Sequence, residues 1–114
     1  MKFYSARLLY IILIDRQPRR RNEHDETVVL FRARDFEHAF TRALELGRAA
    51  ETQYLNAYGQ AVRWALVEVV TLDCVGGRVD GREVASKLHA RTASKPVAFN
   101  SRFRPERSRP NSSF

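Results

Sequence analysis

The sequence predicts a single α+β domain: an antiparallel sheet of three or four strands in the order ββαββ, with one long helix packed on one face. Three observations predict this class. Apolar residues alternate near the N-terminus, recur at helical spacing in the middle of the chain, and alternate again after it. A length of 114 residues suits one domain. We expect residues 1–90 to form the domain and residues 91–114 a flexible basic tail.

The first two strands are predicted to form an antiparallel hairpin. In residues 3–15 every second residue is apolar or small, which is typical of a strand with one buried face. These residues are Tyr4, Ala6, Leu8, Tyr10, Ile12 and Ile14. Residues 16–25 are polar and contain Pro18, so we expect a loop there and a second strand over residues 27–33.

One long helix is predicted from residue 35 to about residue 55. Asp35 is placed to cap it, and apolar or small residues recur on one face as far as Tyr54. Gly47 lies within that face and has two interpretations. It ends the helix, or it lets the helix approach the sheet closely at a cost of about 1 kcal/mol relative to Ala.

A third strand is predicted over residues 61–75, with apolar side chains on both faces. Glu68 interrupts this pattern. Either it pairs with Arg7 or Arg32 on a neighbouring strand, or a β-bulge turns it outward. The glycine-rich turn at residues 76–81 should lead to a short fourth strand over residues 82–88.

The net charge of +7 is concentrated near the C-terminus. Residues 87–114 carry seven basic side chains and one acidic side chain, whereas residues 1–86 are nearly neutral. Basic and aromatic residues interleaved in this way predict nucleic-acid binding as one alternative, and a solvated tail as the other. The candidate contact residues are Arg19, Arg20, Arg21, Arg102, Phe103, Arg104, Arg107 and Arg109.

Two features predict a cytoplasmic protein that does not cross a membrane. The longest apolar run, residues 8–14, is far shorter than the roughly 20 residues that a spanning helix needs. Cys74 is the only cysteine, which fits a reducing compartment.

The segments YSARLLY, GRAAETQYLNAYGQAVRWALVEV and DGREVAS resemble a family of small bacterial proteins catalogued only as a domain of unknown function. The resemblance covers roughly residues 3–88. Its most distinctive residues are Glu51, Tyr54, Asn56, Gly59, Val62 and Trp64. It implies no activity, cofactor or catalytic residue.

No pattern in the sequence points to a catalytic, cofactor or metal site. His24, His38 and His89 lie far apart, and none of them has a second ligand at a spacing typical of zinc sites. The phosphate-binding patterns GxxxxGK[ST] and GxGxxG do not occur. We therefore predict no catalytic residue, no cofactor and no metal.

Glu51, Tyr54 and Asn56 are the most suggestive polar group. We favour a structural corner in which Tyr54 and Trp64 are buried and Asn56 and Gly59 form a turn. An enzyme centred on Glu51, Tyr54 and Asn56 remains a less favoured alternative.

The face of the sheet opposite the helix is predicted to be apolar and uncovered. It would carry Leu9, Ile11, Leu13, Ala65, Val67 and Val69. Such a patch favours a homodimer or a protein partner. The leading hypothesis is therefore a non-enzymatic protein-interaction module, such as a small bacterial accessory or immunity-type protein, and the alternative is a nucleic-acid-binding accessory protein.

Overall fold

The computed structural model describes residues 1–77 and 83–110, and for residues 83–87 it describes the backbone only. Its elements are β1 (Lys2–Ile14), β2 (Arg19–Ala33), α1 (Phe36–Ala49), β3 (Thr52–Leu55), β4 (Ala61–Gly76), β5 (Glu83–Val97) and a 3-10 turn (Pro105–Arg107). The described strands form one antiparallel sheet in the order β3-β4-β1-β2-β5. The predicted α+β class, with an antiparallel sheet and one helix, is confirmed. The strand count and the chain order differ from the prediction.

The β1–β2 hairpin is confirmed, but both it and the last strand are longer than predicted. β2 begins at Arg19, so that most of the predicted loop is strand, and β5 continues to Val97. The two extensions pair with each other: Asn22 lies opposite Arg91, and Glu23 lies opposite Ala90. The residues of these extensions are mostly polar, so they show no alternation of apolar side chains that would predict a strand. They form strands because each pairs with the other, and strand preference depends strongly on such a partner.

The helix is shorter than predicted. Asp35 caps it as expected, accepting a hydrogen bond from the backbone N–H of His38 at 2.8 Å. The helix ends at Ala49, and Thr52–Leu55 form β3, paired with the first residues of β4. Tyr54 continues the helical spacing of apolar residues only by coincidence, since in the structure the backbone of this segment pairs with β4.

Gly47 lies inside α1 and is buried against β4. A Cβ atom at this position would lie 2.7 Å from Cδ2 of Leu66. The hydroxyl of Tyr10 donates a hydrogen bond of 2.8 Å to the carbonyl oxygen of Gly47. Of the two interpretations of Gly47, close approach to the sheet is confirmed.

The main core lies between α1 and the sheet. Its buried residues are Tyr4, Ala6, Leu8, Tyr10, Phe31, Ala33, Ala39, Ala43, Leu66, Val69 and Leu72. Two of the register irregularities between β1 and β4 leave Val67 and Val70 without a partner in β1. Each such irregularity shifts the alternation of β4 by one residue. Val69 consequently packs on the helix side, which corrects its predicted place on the opposite face.

The face opposite α1, called the second face here, is covered by the chain's own C-terminal segment, residues 98–110. Ile11, Leu13 and Ala65 form a second buried cluster there. Val67, Val97, Phe99 and Phe103 pack against this cluster. Leu9 is also buried, with 2% of its surface exposed. The prediction of an uncovered apolar face is therefore wrong, because residues predicted to form a free tail lie on it.

Arg63 of β4 holds the C-terminal segment in place. Its Nη1 atom donates hydrogen bonds to the carbonyl oxygens of Phe99 at 3.0 Å and Ser101 at 2.7 Å. Its guanidinium carbon also lies 5.9 Å from the ring centre of Phe103. One side chain thus fixes both the backbone and an aromatic ring of the segment.

Past the end of β3, the outer edge of β4 is occupied by side chains. The Glu51 carboxylate accepts a hydrogen bond from the N–H of Leu66, and the Ser108 hydroxyl oxygen accepts one from Val69. An ion pair of 2.7 Å between Glu106 and Arg48 joins the segment to α1. Edge N–H groups that would otherwise be free are satisfied in this way.

Two predicted features fall at least partly outside the described residues. Most of the predicted turn at residues 76–81, together with residue 82, lies outside them, and so do residues 111–114 of the predicted tail. The predicted domain boundary at residue 90 falls within β5.

Candidate functional site

A cavity of about 290 Å³ lies between the second face and the C-terminal segment. Strands β1, β2, β4 and β5 all contribute to it, and Phe103 is its lining residue from the C-terminal segment. Its lining residues are Leu9, Ile11, Arg20, Asn22, His24, Val67, Glu68, Arg91, Thr92, Ala93, Val97 and Phe103. The floor is apolar and most of the remaining wall is polar, which is the usual composition of a small-molecule site.

Strand register explains why these residues meet. Ile11 of β1 lies opposite His24 of β2, and His24 lies opposite His89 of β5. Across β1 on its other side, Leu9 lies opposite Glu68, next to the irregularity at Val67. Of the two explanations of Glu68, the bulge is the one that the register supports. Three strands distant in sequence thus place polar side chains around one apolar floor.

His24 is the most buried polar side chain of the cavity, with 8% of its surface exposed. Its Nδ1 atom lies 2.9 Å from the carbonyl oxygen of Asn22, which can only accept, so Nδ1 carries the proton. Burial lowers the pKa of His24, and the nearby Arg91 and His89 lower it further, against the opposing effect of the Asn22 hydrogen bond. A neutral ring of this tautomer leaves Nε2 as an acceptor.

The His24 ring stacks on the His89 ring, with centroids 5.8 Å apart. Nδ1 of His89 lies 3.7 Å from a Glu26 carboxylate oxygen and makes no hydrogen bond within the described part of the chain. Glu26 also lies 3.9 Å from Arg7. The two histidines are 65 positions apart in sequence, and only the pairing of β2 with β5 brings them together.

Three charged side chains of the cavity make no ion pair with any described residue. Two are guanidinium groups, Arg20 and Arg91, and the third is the half-buried carboxylate of Glu68. No group of three or more His, Cys, Asp and Glu side chains among the described residues is placed to hold a metal ion. The cavity therefore offers charges of both signs above an apolar floor.

A second notable surface is the β3 edge, defined as β3 and the turn at residues 56–60. Leu55 is 70% exposed and Tyr58 is 89% exposed. Tyr54 is 49% exposed, so its predicted burial is wrong. The segment from Thr52 to Gln60 contains no charged residue. Large apolar side chains are therefore exposed on an uncharged outer strand.

The other residues of the central motif support the backbone. Asn56 Oδ1 accepts hydrogen bonds from the N–H groups of Tyr58 and Gln60, and Gly59 has a φ of +76° in the same turn. Glu51 accepts from Leu66, as described above. Trp64 is half-buried against the main core. Glu51 and Asn56 thus bond to backbone groups at different places in the chain.

The residues predicted to bind nucleic acid lie at the start of β2 and in the C-terminal segment, and Arg20 and Phe103 line the same cavity. Arg19, Arg20 and Arg21 begin β2, and Arg20 lines the cavity. Phe103 packs on the second face, where it is half-buried. The four arginines of the C-terminal segment, Arg102, Arg104, Arg107 and Arg109, are exposed.

Comparison with known proteins identifies the family. A family model for a domain of unknown function, DUF4288, matches residues 3–86. The chain belongs to the DUF4288 family. No curated protein and no solved structure matches it. The DUF4288 match ends before Arg91, Val97 and Phe103, so the cavity is completed by residues beyond the family match.

Across the described part of this DUF4288 protein, no helix is long and apolar enough to cross a membrane. Sequence reasoning missed the cavity and the pair of histidines. The one signal for them in the sequence is the alternation of polar residues in β2 and β5. This alternation indicates a shared polar surface only when the two strands are known to pair.

Proposed function

We propose that this protein is a non-enzymatic protein-interaction module that binds through the β3 edge. The observation that carries the proposal is the exposure of Tyr54 and Leu55 on β3 and of Tyr58 in the adjoining turn, all within an uncharged segment. Tyrosine is enriched at protein interfaces, since it combines a large apolar ring with a polar hydroxyl. A strand of four residues supplies few backbone hydrogen bonds, so these side chains must provide most of the binding energy.

The partner we propose is an extended strand, and a second copy of this chain is its simplest source. Two antiparallel β3 strands would meet without repulsion between like charges, because neither strand carries a charge. The opposite outer strand, β5, is poorly suited to such pairing. It carries Arg91 and Lys95, and Pro96 lacks the N–H group that a ladder requires.

The test compares two triple variants. Tyr54→Ser, Leu55→Ser and Tyr58→Ser together remove the apolar side chains of the β3 edge. Phe36→Ser, Val75→Ser and Leu88→Ser remove three exposed apolar side chains elsewhere and form the matched control. We expect light scattering at micromolar concentration to show a dimer for the wild type and the control, and a monomer for the β3 variant.

Capture of partners from a cell lysate provides the second readout. If the physiological partner is another protein, the wild type and the control variant retain it, whereas the β3 variant loses it. A monomeric wild type whose captured proteins are the same as those of the β3 variant would overturn the proposal.

The alternative function is nucleic-acid binding by the exposed arginines of the C-terminal segment. Removing three of them by Arg104→Gln, Arg107→Gln and Arg109→Gln would then weaken binding and reduce its salt dependence, by about one in the logarithmic slope for each phosphate that is no longer neutralised. These changes leave the Arg63 hydrogen bonds intact. The same triple variant should leave binding through β3 unchanged, which separates the two functions.

The single thiol also supports a location. Cys74 is exposed. We infer a reducing, cytoplasmic environment, in which an exposed free cysteine persists as a thiol.

A further inference from the structure

We propose that the cavity on the second face binds a small zwitterion, an α-amino acid with an apolar side chain. The ligand carboxylate would lie at Arg20 and Arg91, its ammonium group at Glu68, and its side chain on the apolar floor. This site is separate from the β3 edge, and it stands or falls independently of the protein-interaction function.

Three unpaired charges in the cavity favour a ligand that carries charges of both signs. Arg20 and Arg91 line the cavity without an acidic partner among the described residues, and Glu68 lines it without a basic one. Glu68 is half-buried, and a charge that is partly removed from water without a partner costs free energy. Arg20 and Arg91 are exposed, so their guanidinium groups are accessible to an anionic group of a ligand. A ligand carrying both charges would satisfy all three side chains together.

The mixture of signs also selects between ligand classes. A phosphate or another compact polyanion would be attracted by the two guanidinium groups but repelled by Glu68. A simple cation would be attracted by Glu68 but repelled by the two guanidinium groups. A zwitterion is the one small class whose two charges both find a partner here.

The apolar floor and the size of the cavity favour an amino acid with an apolar side chain. Leu9 and Ile11 are buried beneath the cavity, and Val67 and Phe103 border it. The volume of about 290 Å³ lies at the lower end of the range for small-molecule sites. It suits a molecule of amino-acid size with an aliphatic or aromatic side chain.

His24 adds a directed polar group. Its Nδ1 proton is used by the Asn22 carbonyl oxygen, and Nε2 has no hydrogen-bond partner among the described residues. A neutral imidazole of this tautomer accepts a hydrogen bond at Nε2. The ammonium group of the ligand has three N–H donors, so one is available for His24 when another faces Glu68.

The first experiment is calorimetric titration of the full chain with leucine, N-acetyl-leucine and leucine amide. The second compound lacks the ammonium charge and the third lacks the carboxylate. We expect leucine to bind and each of the other two to bind at least about tenfold more weakly. Inorganic phosphate serves as the probe for simple anion binding, and we expect it to bind more weakly than leucine.

Two charge-neutralising variants then assign the ends of the ligand. Glu68→Gln should weaken the binding of leucine about tenfold and leave the binding of N-acetyl-leucine unchanged, because N-acetyl-leucine has no ammonium group that could contact Glu68. Arg91→Gln should weaken the binding of leucine and of N-acetyl-leucine, which both carry a carboxylate, and leave the binding of leucine amide unchanged. Arg109→Gln, which removes an exposed arginine outside the cavity, is the matched control and should bind like the wild type.

Three results would overturn the proposal. The first is the absence of leucine binding tighter than about 1 mM. The second is equal affinity for leucine and both of its half-charged analogues. The third is phosphate binding that exceeds leucine binding. Thermal unfolding of each variant without ligand verifies that the fold is intact, and the wild-type ligand series alone decides the question if a variant does not fold.

Discussion

The two faces of the sheet are covered by different kinds of element, and the cavities beside these covers differ in charge. On one face, α1 packs so closely at Gly47 that a Cβ atom there would lie 2.7 Å from Leu66 of β4, and a cavity of about 380 Å³ lies beside Leu46, Ala50 and Trp64. On the other, an extended segment crosses the sheet and leaves a cavity of about 290 Å³ beside it. A regular helix presents a continuous apolar stripe, whereas an extended segment contributes separated side chains, here Phe99 and Phe103.

This difference assigns the two faces different roles. The cavity on the helix face is lined by one charged side chain, Asp25, whose carboxylate already accepts a hydrogen bond from Thr27. The helix face is therefore suited to stability. The second face is apolar at one end and polar at the other, so it can hold a polar ligand. Four experiments test this contrast.

Deleting residues 98–114 should have the largest effect. The truncation exposes Ile11, Leu13 and Ala65 and removes Phe99 and Phe103, which together should cost about 3–5 kcal/mol in the free energy of unfolding. Urea denaturation measures the loss, and light scattering should show increased self-association. A chain shortened only by residues 111–114 is the control. A truncated protein as stable as the control would show that the second face does not need this cover.

Gly47→Val should destabilise the helix face by about 2–3 kcal/mol. The new Cβ atom would lie 2.7 Å from the end of Leu66, so the larger side chain would have to displace Leu66. Chemical denaturation measures the change. Gly77→Ala is the matched control, because a Cβ atom there would meet no atom within 4 Å. Equal stability of the two variants would contradict the close packing described for this face.

Arg63→Met should cost about 1–2 kcal/mol, because it removes two hydrogen bonds to the C-terminal segment but keeps an apolar side chain of similar length. The segment should also become more sensitive to proteases than it is in the wild type. Arg34→Met removes an exposed arginine and serves as control. Protease resistance equal to that of the wild type would contradict the role of Arg63 in holding the segment.

The smallest effect concerns pH. The pKa of His24 in the folded state is lowered, chiefly by burial, below its value of about 6.5 in an unfolded chain. As the pH falls through about 6.5, the unfolded chain therefore takes up this proton first, so stability is full above that pH and falls below it. We expect the His24→Gln variant to lose less stability than the wild type between about pH 7 and about pH 5. Urea midpoints at both pH values measure this, and an unchanged pH dependence would contradict it.

Local patterns in the sequence were enough to predict several elements. The alternation in β1, the N-cap at Asp35 and the close approach of Gly47 agree with the structure. Each of these depends on neighbours within a few positions along the chain or on an unbroken apolar pattern. The same local reasoning extended the helix to about residue 55, because Tyr54 happens to continue its spacing.

The cover of the second face could not be predicted in this way. Residues 91–110 contain few aliphatic side chains, so composition favoured a flexible segment. They lie against the sheet because β2 offers a polar strand edge to β5 and Arg63 offers hydrogen-bond donors to two carbonyl groups. Such partners are distant in sequence and leave no periodic pattern.

Local patterns in the sequence predict an α+β domain, its first hairpin and the apolar surfaces of its strands. The assembled fold sets which element covers each surface, on which face Val69 packs, and how His24, Glu68 and Arg91 come to line one cavity. The physical reason is that alternation and helical spacing are local properties of the chain. Strand register, bulges and the course of an extended segment depend on contacts between distant residues, which form only when the whole sheet is assembled.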